Sequence, residues 1–260
     1  MTNIRVIWET MRLQMKNSFV RPMFRFCMIA SPIVNTILIY EMFRNSGQVN
    51  FSTYVIMGAG LMSLWSCICF SSAGDINRER WTGTLSIIFS APAKFQTIIL
   101  GKILGNTILS MMTLVITMVT AKLLFHVSLR VESWGYLLVS ILATIVCFVI
   151  VSIVIAYLLT LSRKTTLYMN CIEIPIELIC GFVFPIEVLP DWVLPISYML
   201  PPTWAIKLLR MSVAGITNAN DYVRTFEILA GLIVLYTILA GVLYKIIDKQ
   251  VRIRASLEVS

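Results

Sequence analysis

The chain has 260 residues, 58% of them hydrophobic and only 13% charged, with a formal net charge of +8 and a mean hydropathy of +0.85. A soluble globular protein carries about 25% charged residues, so composition excludes a soluble enzyme, a disordered chain and a secreted disulfide scaffold. The basic excess has no meaning for partners until it is placed against the apolar runs.

Crossing a hydrocarbon core of about 30 Å takes about 20 helical residues. In chain order the uncharged or nearly uncharged runs predict six spans: about 23–43, 51–73, 103–121, 133–162, 165–186 and 222–244. The first is too long, and too far from the start, for a cleaved leader, and it lacks a small-residue cleavage site. With six spans, loops fall alternately on two sides. One side then holds fifteen Lys and Arg residues and the other six. The richer side, which includes both termini, is expected to be cytoplasmic. This places the chain in a cell membrane, as a multi-pass protein. The positive charge then reflects topology and anionic lipid headgroups, and no nucleic acid is expected.

Three segments depart from plain spans and loops. In residues 3–19 two stripes run side by side: Ile4, Trp8, Met11 and Met15, and, one residue on, Arg5, Glu9, Arg12 and Lys16. Both have helical spacing, so residues 1–22 are expected to form an amphipathic helix at the membrane interface. Residues 74–96 form a charged cytoplasmic loop, with Asp75, Arg78, Glu79, Arg80 and Trp81, then Gly83, Thr84, Leu85 and an apolar run to Phe89, then Pro92. Trp81 and the apolar run suit a short helix that docks a soluble partner. The bland alternative is a solvated connector. On the docking reading, Glu79→Lys is expected to weaken the partner contact without unfolding the protein. Residues 183–212 hold five of the nine prolines, Pro185, Pro190, Pro195, Pro201 and Pro202, among apolar residues that include Trp192. A broken apolar segment cannot face lipid with its backbone unpaired. It is expected to form short re-entrant helices on the external side.

Some side chains are candidates for a transport pathway. Glu173 and Glu177 lie four apart within the fifth apolar run, and charged groups in a span usually face a cavity or a partner. Alternatively, each pairs with a basic residue of a neighbouring helix or lies near water. Met57, Met62 and Phe70 of the second span either line the pathway or pack as ordinary core. Gly101-x-x-x-Gly105 fits close helix packing. The six cysteines sit in apolar stretches and read as small buried hydrophobes. No metal site is expected.

The loop motif Glu79-Arg80-Trp81-Thr82-Gly83-Thr84-Leu85 with Pro92, and the elements Gly181-Phe182-Val183-Phe184-Pro185, Leu189-Pro190-Asp191-Trp192 and Pro201-Pro202-Thr203-Trp204, together resemble the permease subunits of ATP-binding-cassette exporters of the type 2 permease class. Trp81 stands where that class has a second Glu. The resemblance covers nearly the whole chain. It implies an all-α membrane protein: one permease domain over 1–260, six transmembrane helices, an N-terminal interface helix and re-entrant helices between spans five and six. It implies a second permease subunit, identical or paralogous, and a separate ATPase subunit. The loop residues and Arg5, Trp8, Glu9 and Arg12 would couple to that ATPase. Gly181, Pro185, Pro190, Trp192, Pro201 and Pro202 would cap the pathway. The chain has no G-x-x-x-x-G-K-[ST] phosphate loop, so it is not expected to be an enzyme or to hold a cofactor; ATP and Mg would sit on the partner. Cargo is expected to be a drug, antibiotic peptide or lipid, in a bacterial membrane. A polysaccharide or teichoic-acid-type exporter and an ion-driven secondary transporter are the alternatives.

Overall fold

A computed structural model describes residues 3–44, 51–84, 87–88, 93–126, 133–161, 165–184, 186–214 and 218–254. Among them every regular element is helical. The helices are α1 (Asn3–Val20), α2 (Pro22–Phe43), α3 (Phe51–Trp81), α4 (Phe95–Ser110), α5 (Met112–Phe125), α6 (Trp134–Leu161), α7 (Thr165–Ile179), α8 (Leu194–Met199), α9 (Pro201–Ala214) and α10 (Ala219–Arg254). A 3₁₀ turn, Ile186–Val188, precedes α8.

Among the described residues four stretches are long and apolar enough to cross a membrane: Pro22–Phe43, Phe95–Phe125, Trp134–Thr160 and Ala219–Ile247. They show the one-sided exposure that lipid demands. On α10, Val234, Leu235, Ile238, Leu239, Val242 and Ile246 are exposed. So large an apolar surface suits a bilayer and not water. The second of these stretches is α4 and α5 in succession, joined at Met111. Ser110 and Thr113 there turn their hydroxyls onto carbonyls three or four residues back, at 2.8 and 2.7 Å, which bends helices.

The other two predicted spans look different. The α3 helix has 31 residues, about 46 Å at 1.5 Å per residue, and its apolar stretch is Val55–Cys69. It is the central helix: Val55, Ala59, Trp65, Cys67 and Ile68 are fully enclosed. The sequence reading ended this span at Ala73 and began a loop at Gly74. Instead the helix runs on for two turns to Trp81, because Asp75 and Glu79 find partners inside the protein. The α7 helix has only 15 residues, about 22 Å. It stops at Ile179 because Gly181 takes φ +74°. Phe182 N–H then closes onto the Glu177 carbonyl and Gly181 N–H onto Leu178, the double bond of a left-handed helix end.

The core follows from these choices. Trp65 of α3 meets Phe148 of α6 at 5.5 Å and Phe182 at 6.1 Å between ring centroids, so the turn after α7 is pinned into the bundle. Gly58 is obligatory here: a Cβ would come within 2.9 Å of the Phe182 carbonyl oxygen. Beyond that turn, Pro195 sits in the first turn of α8 and Pro201 opens α9. The prolines therefore start helices, where a missing N–H costs nothing. All six cysteines are free thiols.

Candidate functional site

The charged end of the bundle is built by α1, the last turns of α3 and the first turns of α4. In α3, Asp75, Arg78 and Glu79 fall within one turn of each other. Asp75 is 3% exposed and Glu79 5% exposed. A buried carboxylate is tolerable only when paired and hydrogen-bonded; Asp75 is both, and Glu79 is paired through one of its oxygens. Arg21, from the junction of α1 and α2, sits 2.5 Å from Asp75 Oδ1. Asp75 Oδ2 accepts from Asn106 Nδ2 of α4 at 2.9 Å and from Gln14 Nε2 of α1. Ser18 Oγ donates to Asn106 Oδ1 at 2.7 Å, and Gln14 also donates to Ser18 at 2.9 Å. Glu79 pairs with Lys102 of α4. Burial lowers the pKa of the Arg78 guanidinium from its ordinary value; Arg21 adds to that and Asp75 opposes it.

Helix α1 reaches this cluster because α4 has no side chains in the way. A Cβ on Gly101 would lie 2.9 Å from the Ile7 carbonyl oxygen, and one on Gly105 2.8 Å from that of Met11. The Gly101-x-x-x-Gly105 spacing is therefore a close helix contact, and its partner is α1. The face that α1 turns to the protein is Ile7, Met11, Gln14 and Ser18. Of the two stripes seen in the sequence, only the apolar one contributes to the inward side, through Met11 and the half-buried Met15. Ile4 and Trp8 are 80% and 60% exposed, and Arg5, Glu9 and Arg12 are exposed as well.

The loop residues separate into two sets. Asp75 and Glu79 face inwards. Arg78, Trp81 and Thr84 face outwards, with Trp81 85% exposed. Gly83 takes φ +67° and turns the chain after α3, while Thr82 Oγ1 bonds the Arg78 carbonyl at 2.9 Å. Leu85 lies outside the described residues, as does the side chain of Arg80. Between α1, the end of α3 and the start of α4 lies a groove of about 790 Å³, walled by Arg5, Glu9, Leu13, Arg78, Thr84 and Ile98 among others.

A second polar group lies deeper in the bundle. Ser66 Oγ of α3 is 2.7 Å from Glu173 Oε1 and 2.7 Å from Glu177 Oε1 of α7. Glu177 is 6% exposed. The sequence left open whether this pair has basic partners; among the described residues neither acid has a salt bridge. Met62 lies one turn from Ser66, and both Met57 and Met62 pack against the central core. The side chain of Phe70 lies outside the described residues.

The opposite end carries the proline-rich segment. Arg210 Nη2 donates to the Phe182 carbonyl at 2.9 Å, tying α9 to the turn at Gly181. Thr203 Oγ1 donates to the Ser197 carbonyl at 2.7 Å and Trp204 Nε1 to the Tyr198 carbonyl at 2.9 Å, tying α9 to α8. Trp192 is 75% exposed. Pro201 and Pro202 are buried and Pro190 is exposed. Pro185 lies outside the described residues.

Sequence reasoning missed Gln14, Ser18, Arg21, Lys102, Asn106 and Ser66. Gln14 and Ser18, four apart on α1, are the available signal; in the sequence Arg21 and Lys102 count towards the charge bias between the two sides.

Apolar helices with lipid-facing sides, gathered around a buried charged cluster at one end, define a multi-pass helical membrane protein. The family model of the ABC-2 type transporter matches residues 5–214, and the chain belongs to that family. It is the permease component and not the ATPase, and membership implies in general a separate ATP-binding subunit. A search of individually curated proteins found no match.

Proposed function

We propose that this chain is the transmembrane subunit of an ATP-driven exporter. Two permeases, identical or paralogous, form the translocation pathway, and two ATPase subunits carrying ATP and Mg drive it. On this reading α3 and α7 complete a six-span bundle. Both termini, α1 and the end of α3 face the cytoplasm of a bacterial cell, and α8 and α9 form the re-entrant cap outside. The whole chain is one permease domain.

The observation that supports this reading most is the groove at the charged end, together with the exposed Trp81, Arg78 and Thr84 beside it. A tryptophan that is 85% exposed next to a groove with charges of both signs suits a folded protein partner better than bare solvent. Arg5, Glu9 and Arg12 would join that contact, while Ile4 and Trp8 rest in the interface. Asp75 supports the docking surface from within, while Glu79, paired with Lys102, walls the groove itself. The exposed apolar flanks of the spans suit a hydrophobic or amphipathic cargo: a drug, an antibiotic peptide or a lipid.

The test is purification from native membranes in mild detergent, with mass spectrometry of the co-purifying chains. A stoichiometric ATPase subunit is expected. Its absence, under conditions that keep comparable complexes whole, overturns the reading. A second permease of different mass would make the pathway a heterodimer.

A further inference from the structure

The cluster around Asp75 joins three elements that the chain connects only through long intervening segments. One carboxylate takes up Arg21 at 2.5 Å, Asn106 at 2.9 Å and Gln14. Its bonds therefore reach α1, the α1–α2 junction and α4, while the residue itself belongs to α3. The polar face of α1 has few other reasons to be inside: Gln14 is 3% exposed and Ser18 is fully enclosed. Gly101 and Gly105 bring the α1 backbone into contact with α4, which fixes their separation. The hydrogen bonds then fix the register, because Gln14, Ser18 and Asn106 each have bonds that only this register supplies. Buried polar groups of this kind specify one arrangement, since every alternative leaves a donor or acceptor unmet.

We propose that Asp75 is a positioning residue: its carboxylate latches α1 to the ends of α3 and α4, so that the three move as one lever. The proposal rests on the ATPase-coupled reading for its consequence but not for its geometry. A partner that pushes on Arg5, Glu9, Arg78 or Trp81 pushes on this unit from outside. With the latch closed, that displacement passes along α3, which is the central helix and reaches the turn at Phe182 through Trp65. With the latch open, α1 slides on α4 and the displacement is absorbed.

The experiment has two arms on Asp75→Asn, which keeps the shape of the side chain and removes its charge. In the first, the full-length permease in liposomes is followed by hydrogen exchange. Exchange over residues 3–20 is expected to rise by about tenfold or more, the usual consequence of unmaking buried charge-assisted bonds, while α6 exchanges as before. A merely structural role would raise exchange throughout the bundle, α6 included. In the second arm, the complex with its ATPase is given ATP and Mg with vanadate, and exchange over residues 186–214 is read per ATP hydrolysed. The nucleotide-driven change is expected to fall severalfold. Unchanged exchange over 3–20, or an undiminished response over 186–214, overturns the latch. If Asp75→Asn does not fold, Arg21→Met removes the less buried partner and is read the same way. If no ATPase complex can be made from the wild type, the exporter reading fails, and the first arm still decides the latch.

Discussion

The protein buries acidic residues in two places and treats them in opposite ways. At the charged end, Asp75 and Glu79 each meet a cation, Arg21 and Lys102, and Asp75 collects two amide donors besides. In the C-terminal half of α7, Glu173 and Glu177 meet one serine hydroxyl between them. The first arrangement is that of a fixed joint, in which every charge is answered and any change leaves an uncompensated partner. The second leaves two acceptors competing for one hydroxyl hydrogen, and among the described residues it has no cation to orphan. The expectation is that the charged end carries structural specificity and the α7 pair carries little of it.

The largest effect tests the joint directly. Glu79→Lys puts an ammonium beside Lys102 at the largely buried floor of the groove. Breaking a buried ion pair costs about 3–5 kcal/mol, and like charge adds to that. This reverses the sequence expectation that the substitution would spare the fold. The variant is expected to lose its monodisperse peak in detergent gel filtration; a wild-type Tm would show that Glu79 is not held by Lys102.

Next in size is the glycine contact. Gly105→Leu drives a side chain into the Met11 carbonyl, where even a Cβ would lie 2.8 Å away. Overpacking of this kind costs about 1–3 kcal/mol. The loss should show as a lowered Tm, with exchange rising on α1 before any other helix. Were Gly105→Leu as stable as wild type, α1 would not lie against α4.

The α7 pair sharpens the contrast from the other side. Glu177→Gln retains hydrogen bonding to Ser66 and removes a charge that meets no cation among the described residues. Its stability is expected to stay within about 1 kcal/mol of wild type, since a neutral buried hydrogen bond is worth about that much. Differential scanning fluorimetry of Glu177→Gln and Asp75→Asn side by side reads the difference; equal losses would erase the distinction between the two sites.

Much of this was legible in the sequence, and the reasons for the rest are physical. Apolar runs announce lipid-facing helices such as α2, α6 and α10 because lipid tolerates little else. The small-residue spacing at Gly101 and Gly105 announces a close contact, but spacing cannot name the partner, and α1 lies ninety residues upstream. Periodicity on α1 was read from its most apolar and most basic residues. The face that docks, Ile7, Met11, Gln14 and Ser18, mixes both characters and carries almost no hydrophobic signal. Asp75 and Glu79 read as loop residues because charge near the end of a span is normally solvated. Only the tertiary arrangement, which brings Arg21 and Lys102 to them, turns those two turns into helix. The end of α7 was legible in Gly181, yet a glycine shows its positive φ only when the next turn, here fixed by Trp65 and Arg210, requires it.

The smallest expected effect on stability bears most on the proposed docking surface. Trp81→Ala removes a side chain that is 85% exposed and lies on the outer side of the joint. Exposed substitutions away from caps and pairs usually change stability by less than about 0.5 kcal/mol, so the Tm of the purified permease should not move. An aromatic anchor at the centre of a protein contact, by contrast, often costs about 2 kcal/mol or more in binding when truncated, which is a loss of about thirtyfold in affinity. The variant is therefore expected to purify as a well-folded permease that has shed its ATPase. Glu79→Lys would fail first as a folded protein, so the two substitutions, only two residues apart, separate the surface that binds from the joint behind it. If Trp81→Ala retains the ATPase at wild-type stoichiometry through dilution, Trp81 is not an anchor, and the contact must centre on the groove walls at Arg5, Glu9 and Arg78.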